Sequence, residues 1–349
     1  MDNEIIKEID FYEQKVKEVK SKLYKYCREN EKEEIKIIDQ VITDKWSMYQ
    51  GDCIEVLKGI PSDSIHYSLF SPPFSSLFTY SNSIRDMGNS TDDEFYDHFK
   101  FLTPELYRVM MPGRLLSFHC SDIPAMKERD GYMGLKDFPG ILLREFEKIG
   151  FIYTGRFVIW KDPLIEAVRT KSLRLAHKQI IKDSSRCGSG CPDYIITVTK
   201  PGDNPEPISH KRGFERYIGD RPEPTAKKID DPAKNKYSHY VWKRYASPVW
   251  MDINQTNTLN VKQARDKDDE RHICPLQLDV IARCLELWTN PGDIVLSPFA
   301  GIGSEGYESL RMERKFIGIE LKKSYFDVAI KNLRSVDNRL RKFGMTDVS

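Results

Sequence analysis

Ser71-Pro72-Pro73-Phe74 closes an apolar, strand-like run from Ser64 to Phe70, and its residue types suit one kind of chemistry. An exocyclic base amine is a poor nucleophile, because its lone pair is delocalised into the ring. Two acceptors placed on its two hydrogens favour a pyramidal nitrogen whose lone pair is free for in-line attack. The Ser71 side chain and the Pro72 carbonyl fit that task. Pro72 and Pro73 hold the backbone extended, which limits reorganisation during transfer, and Phe74 offers a ring to stack on a base. Attack of this kind needs no covalent adduct, so none of the seven cysteines is required as a nucleophile.

A second string, Ser297-Pro298-Phe299-Ala300-Gly301-Ile302-Gly303, follows the apolar run Ile294-Val295-Leu296. Gly301 to Gly306 matches the fingerprint G-x-G-x-x-G, and Glu320 ends the next strand-like run seventeen residues after Gly303. Such glycines let a nucleoside cofactor lie against backbone, while the carboxylate accepts hydrogen bonds from ribose hydroxyls. The loop serves NAD or S-adenosylmethionine equally well. It is the Pro-Pro loop that selects S-adenosylmethionine, since an amine acceptor calls for a methyl donor. A base buried in a duplex has to be flipped out to be reached, at roughly a few kcal/mol.

Both strings need rigid elements behind them. From about Trp46 to Val158 strand-like and helix-like runs alternate, as in an α/β domain. Phe95, Phe99, Leu102 and Leu106 share one helical face, Leu115 to Phe118 reads as a strand, and Leu142, Leu143, Phe146 and Ile149 mark another helix before the strand Phe157 to Trp160. Residues 161–270 break the rhythm with prolines, glycines and charge, and read as an insertion that nevertheless holds one core strand at 193–199. Alternation resumes over 271–335 with a helix from about Leu276 to Trp288, a strand at 294–296, a helix from 305 to 314 and a strand at 315–319; residues 336–349 read as a tail. At the other end, over residues 1–40, Ile5, Ile9, Tyr12, Val16, Val19, Leu23 and Tyr26 recur at heptad spacing over about three heptads. That stripe suits either a homodimer through an N-terminal helix or one amphipathic helix on its own domain.

Composition excludes several classes. No apolar run approaches the roughly 18 to 20 residues of a membrane span, and the opening Met1-Asp2-Asn3-Glu4 lacks a secretory pattern, so a soluble, cytoplasmic protein is expected. The formal net charge is only +1. Positive charge is nevertheless concentrated: residues 161–186 carry seven Lys or Arg against three Asp or Glu, and residues 209–245 carry ten against five. A basic middle third is the footprint expected of a phosphate partner. Within it Arg169, Lys171, Arg174 and Lys178, spaced so that a helix would put several on one face, and Arg186 are candidates to grip duplex DNA. Cys187 and Cys191, with His272 and Cys274 downstream, have ligand types of structural zinc, but their spacing is too loose to carry a metal site.

In these strings the chain resembles the DNA amino-methyltransferases that modify cytosine N4 or adenine N6, in the β-type order where the catalytic motif precedes the cofactor motif. Gly51-Asp52-Cys53, Val109 to Leu115, Asn290-Pro291-Gly292-Asp293, Ser297 to Ser304 and Gly318-Ile319-Glu320 all match family strings, over about residues 46–160 and 190–335. The resemblance implies a Rossmann-like, mixed but mostly parallel sheet flanked by helices. It implies S-adenosylmethionine as cofactor, with Asp52 on the adenosine portion, Ser297, Pro298, Phe299, Gly301 and Gly303 in the cofactor loop, and Glu320 on the ribose. It implies Ser71, Pro72, Pro73 and Phe74 as the catalytic loop, with a basic target-recognition insertion and, in such systems, a companion restriction enzyme. Serine before the Pro-Pro pair favours cytosine N4 over adenine N6. One departure bears on activity: the family's loop usually begins with Asp where Ser297 stands, so the carboxylate for the cofactor's ammonium must come from another acid. An inactive DNA-binding relative and an NAD-dependent oxidoreductase remain the alternatives from other classes.

Overall fold

The computed structural model describes residues 15, 37–73, 92–125, 127–170, 176–259 and 275–342. The chain divides into two compact units, Met1–Lys36 and Ile37–Ser349. The heptad stripe of the first unit lies outside the described residues, which include only Lys15 of that unit.

In chain order the second unit runs β1 (Ile37–Ile42), β2 (Trp46–Gly51), α1 (Cys53–Lys58), β3 (Tyr67–Phe70), α2 (Asp92–Val109), β4 (Leu115–Ser121), β5 (Ile123–Ala125), α3 (Lys127–Asp130), β6 (Gly134–Lys136), α4 (Phe138–Ile149) and β7 (Ile152–Ile159). It continues with α5 (Pro163–Thr170), α6 (His177–Asp183), β8 (Asp193–Thr199), α7 (Lys236–Tyr245), β9 (Val249–Trp250), α8 (Leu278–Trp288), β10 (Ile294–Ser297), α9 (Ser304–Arg311), β11 (Lys315–Glu320) and α10 (Lys323–Lys342). Among the described residues nine strands form one sheet in the order β1-β2-β11-β10-β3-β4-β8-β7-β9. From β2 to β4 neighbouring strands are parallel, while β8 runs antiparallel to both β4 and β7. The expected mixed, mostly parallel α/β sheet is therefore present.

Alternating side chains divide the sheet between two cores, because successive strand residues face opposite sides. Phe70, Leu116, Phe118, Cys120, Ile196 and Val198 pack with the buried faces of α1, α2 and α4. Tyr67, Leu69, Ile195, Val295 and Phe316 pack on the other side with α8 and α10. The first turns of two helices are fixed by side chains: Asp52 accepts the Ile54 N–H at 2.9 Å, and Asp137 accepts the Gly140 N–H at 2.8 Å, each supplying an N-cap.

Two boundaries differ from the sequence reading. β1 lies ahead of the expected start at 46 and pairs along β2, so the sheet begins within the stretch assigned to the N-terminal helix. At the other end α10 runs continuously through position 336, where a tail was expected. Its apolar face, with Phe326, Ala329, Ile330, Leu333 and Val336 in the core, carries the fold that far. The expected strand at 193–199 is β8 itself, in the centre of the antiparallel half.

At the N-terminal ends of the parallel strands Arg114 ties three elements together. Its guanidinium pairs with Asp293 and donates to the carbonyls of His66 at 2.9 Å and Glu206 at 3.1 Å. Arg114 and Asp293 are both buried. A buried pair of this kind is costly to break from one side, by about 3 to 5 kcal/mol.

Candidate active site

β10 and β3 lie side by side and parallel, with Val295 opposite Tyr67 and Leu296 opposite Ser68. From β10 the chain passes to β11 on one side; from β3 it passes to β4 on the other. Loops that leave the C-terminal ends of such strands diverge and open a crevice at the switch point. The structure thus brings together Ser71-Pro72-Pro73 and Pro298 to Gly303, which stand more than two hundred residues apart. The Phe70 and Phe299 rings, 5.7 Å apart, pack across the strand ends. Phe74 lies outside the described residues.

The glycine loop is held by backbone. Gly301 and Gly303 have φ of +53° and +84°, values that only glycine adopts readily. The Gly301 N–H donates to Glu320 Oε2 at 2.9 Å, the Lys322 N–H to Glu320 Oε1 at 2.8 Å, and the Ala300 N–H to the Ile319 carbonyl at 2.8 Å. A Cβ on Gly303 would sit 3.2 Å from the Ala329 Cβ, whereas one on Gly301 would meet nothing within 4 Å. Backbone is therefore bare toward open space at Gly301. Asp52 reaches the same end of the sheet, because Gln50 at the end of β2 is opposite Glu320.

Ser297 is fully buried, and its Oγ has no hydrogen-bond partner among the described residues. Eight positions on, Glu305 opens α9 and is buried too. Burial pushes its carboxyl up to about 8, and the charge of Glu320 adds to the rise against the pull of its own backbone N–H.

The other loop is held by side chains from remote strands. Ser71 Oγ lies 2.9 Å from His119 Nδ1. His119 Nε2 lies 2.9 Å from Asp193 Oδ2, and Lys161 Nζ lies 2.5 Å from Asp193 Oδ1, with Glu166 at 4.0 Å behind it. His119, Asp193 and Glu166 are buried, and the Lys161 side chain is 9% exposed. Burial alone would raise the Asp193 carboxyl, but its partners His119 and Lys161 hold it well below the usual carboxylate range. Sequence reasoning missed His119 and Asp193, and it met Lys161 only in the charge count of the basic stretch 161–186. The signal available was a histidine inside one apolar strand and an aspartate at the start of another. Only the pairing of β4 with β8, which sets Ser121 opposite Asp193, shows that the two polar groups share one end.

Among the described residues one group has metal-ligand types within reach of one another: His66, Glu206 and Asp293, at the far end of the sheet. The Arg114 guanidinium already occupies Asp293 there.

The model of a DNA methylase family matches residues 65–331, most of the chain, including both loops of this crevice. The chain belongs to that family. Among curated methylases it is similar to the type II methyltransferase M.MjaI of Methanocaldococcus jannaschii, 23% identical over 81% of this chain and 89% of the relative. It is likewise similar to M.PvuII of Proteus hauseri, 23% identical over 88% of each. Two solved structures share the fold. The putative DNA modification methylase TTHA0409 of Thermus thermophilus, complexed with S-adenosyl-L-methionine, has a TM-score of 0.56 at 20% identity, over 83% of this chain and 95% of that one. The cytosine-N4-specific PvuII DNA methyltransferase has a TM-score of 0.55 at 16% identity, over 88% and 97%. S-adenosylmethionine is the methylase's cofactor, and the bare backbone at Gly301 beside the Glu320 carboxylate fits the nucleoside end of that molecule.

Much of the methylase's basic middle third is engaged internally. Arg212 pairs with Glu215, Arg216 with Glu286 and Lys234 with Asp231, and Lys228 lies over the Tyr237 ring at 4.4 Å. Phe214, Tyr237, Val241 and Tyr245 form a small core of their own there. Lys178 and Arg186 are exposed, and Arg186 leans on Asp183 at 3.0 Å. The single helix face expected for Arg169 to Lys178 is not formed. Arg169 belongs to α5 and Lys178 to α6, and Ala176 between them is extended, with φ −70° and ψ 126°. Lys171 and Arg174 lie outside the described residues. No helix among the described residues is long and apolar enough to cross a membrane.

Proposed function

We propose that this methylase transfers a methyl group to the exocyclic N4 of a cytosine flipped out of duplex DNA at a specific sequence. Ser71 carries the reading: a hydroxyl, rather than a carboxamide or carboxylate, precedes the Pro-Pro pair at the mouth of the switch-point crevice. S-adenosylmethionine, when bound, supplies a sulfonium methyl for attack by the amine. The chain's own groups do the rest. Ser71 Oγ and the Pro72 carbonyl accept the two amine hydrogens, the proline pair keeps those acceptors from rearranging, and Phe74 stacks on the base. Glu320 and Asp52 orient the nucleoside of the cofactor, and Pro298, Phe299, Gly301 and Gly303 shape its seat. The carboxylate that Ser297 does not offer is available from Glu305. A cationic cofactor beside it would draw that buried carboxyl into its charged form.

Lys178 and Arg186, with Arg169, Lys171 and Arg174 nearby in sequence, contact phosphates of the duplex and set its register. The type II relatives make a companion restriction enzyme a partner to look for, by asking whether methylated DNA resists cleavage. The deciding experiment is transfer of labelled methyl from S-adenosylmethionine to mixed genomic DNA, followed by nucleoside digestion and mass analysis. N4-methylcytosine is the expected product. N6-methyladenine would overturn the base assignment and leave the family chemistry intact.

A further inference from the structure

The crevice holds a chain of polar groups that the acceptor role of Ser71 does not by itself require. Ser71 Oγ, His119 and Asp193 follow one another at 2.9 Å and 2.9 Å, and Lys161 closes the line at 2.5 Å. Three separate stretches supply them: the loop after β3, the end of β4, and the first residue of β8, with Lys161 two residues past β7. Antiparallel pairing puts all of them at one end, since Ser121 and Ile159 both lie opposite Asp193. Alternation puts His119, Ile195 and Asp193 on one face of the sheet. Tyr194, whose hydroxyl donates to Asp122 at 3.3 Å and whose ring lies under Arg156, sits on the opposite face. Among the described residues, the charged groups that face the imidazole on its own side are therefore Asp193 and Lys161, with Glu166 of α5 behind Lys161.

The tautomer decides the direction of each hydrogen. With the hydrogen of a neutral ring placed on Nε2, the nitrogen 2.9 Å from the Asp193 carboxylate, Nδ1 is left as an acceptor. The Ser71 hydroxyl then donates to Nδ1 and turns its lone pairs outward, toward the crevice. That is the orientation an acceptor of amine hydrogens needs. Lys161 neutralises Asp193, so the pair orients the ring without leaving a lone buried charge.

Resting on the N4-amine reading above, we propose that His119 is the proton acceptor behind Ser71, with Asp193 and Lys161 fixing its tautomer. The bond from sulfur to methyl breaks as the bond from the amine nitrogen to that methyl forms. The electron pair of the broken bond stays on sulfur, which leaves as a neutral thioether. The nitrogen gains a positive charge and loses it by passing one hydrogen to Ser71 Oγ, while the Ser71 hydrogen passes to His119 Nδ1. Ser71 is restored as a hydroxyl, and the imidazolium rests against Asp193 until product leaves and the proton returns to solvent. No oxidant, metal or further reactant is required.

The test is single-turnover methyl transfer to DNA from pH 5 to 9 with His119→Gln and Asp193→Asn beside the native chain. Calorimetric binding of S-adenosylmethionine and thermal melting show that each variant is folded. The native rate is expected to fall toward low pH, where solvent protons compete for the acceptor nitrogen of His119. In His119→Gln the rate at pH 8 is expected to drop about a hundredfold, the scale of a lost general base. Its acid limb should vanish, while cofactor affinity stays within about twofold. Asp193→Asn is expected to keep a limb shifted to lower pH, since the charge that favours the imidazolium is gone. A slow His119→Gln that retains the native limb would show the histidine to be a steric prop, and would overturn the relay. So would a His119→Gln as fast as the native chain. Native protein that labels no DNA at all would instead overturn the amine reading, and the relay with it.

Discussion

The Gly301–Gly303 turn is held by backbone N–H groups and one carboxylate, Glu320. Ser71, across the same crevice, is oriented by a ring 48 residues away whose own partner lies on another strand. The first loop is prefabricated: its shape follows from two left-handed glycines and a short strand-to-helix turn. The second is assembled only when β3, β4, β8 and the end of β7 are in register. On the proposed assignment of the two loops, the methylase seats its cofactor on local geometry and poises its target on long-range geometry. Damage to the sheet's antiparallel half should silence chemistry before it touches cofactor binding.

The sharpest break in that contrast is Ser71→Ala. Removing one preorganised polar partner of a reacting group costs about 10²- to 10³-fold in rate, and the expectation is a loss of that size in single-turnover transfer. Affinity for S-adenosylmethionine, measured by calorimetry, should be unchanged because Ser71 lies on the target side. Gly303→Ala should do the reverse. It forces a side chain into φ +84° and sets a Cβ 3.2 Å from Ala329, a strain of about 1 to 3 kcal/mol. Thermal stability and cofactor affinity should fall together, with the rate at saturating cofactor less affected. A Gly303→Ala protein that melts and binds like the native chain would show that the loop tolerates a side chain, and the claimed stiffness would be lost.

The difference between the loops also explains what was legible in the sequence. Glycine spacing, a following helix and an acid at the next strand end are local patterns, and they located Gly301, Gly303 and Glu320 at one seat. The alternating apolar runs located most of the parallel sheet for the same reason. β1 was missed because four of its six residues are exposed at its edge position, so no apolar alternation marks it. His119 and Asp193 carry no local mark of function; a polar residue inside a strand reads as a surface position until the partner strand is known. Charge counting erred in the same direction. It registered Lys161 by sign, while the fold spends that charge on Asp193.

Glu305 sharpens the contrast on the cofactor side. Its folded pKa, pushed up to about 8 by burial, lies above the ordinary glutamate value of 4.5. A raised carboxyl favours the folded state while it stays protonated, so that contribution is full below about pH 4.5 and is lost as pH rises to about 8. Relative to Glu305→Gln, the native chain without cofactor should lose stability across that window, by a few kcal/mol at most, and then level off. S-adenosylmethionine should restore part of it by pairing with the ionised group. Melting curves with and without the cofactor from pH 5 to 9 would measure both. A native chain that tracks Glu305→Gln at every pH would remove Glu305 from the cofactor seat.

The smallest expected effect separates the two uses of positive charge. Lys178 is exposed on α6, so Lys178→Gln should weaken DNA binding severalfold and lower the slope of log affinity against log salt by about one, the signature of one lost phosphate contact. Arg186→Gln should change the slope less, because Asp183 already neutralises it. Lys161→Met should leave the slope alone, since its charge faces Asp193 and not the solvent. Its effect belongs to the rate and its pH profile, where an unneutralised Asp193 would hold a proton on His119 more tightly and move the acid limb to higher pH. A Lys161→Met protein with a reduced salt slope and a native pH profile would put that lysine back on the DNA face, and with it the line between cations that grip the duplex and cations that serve Ser71.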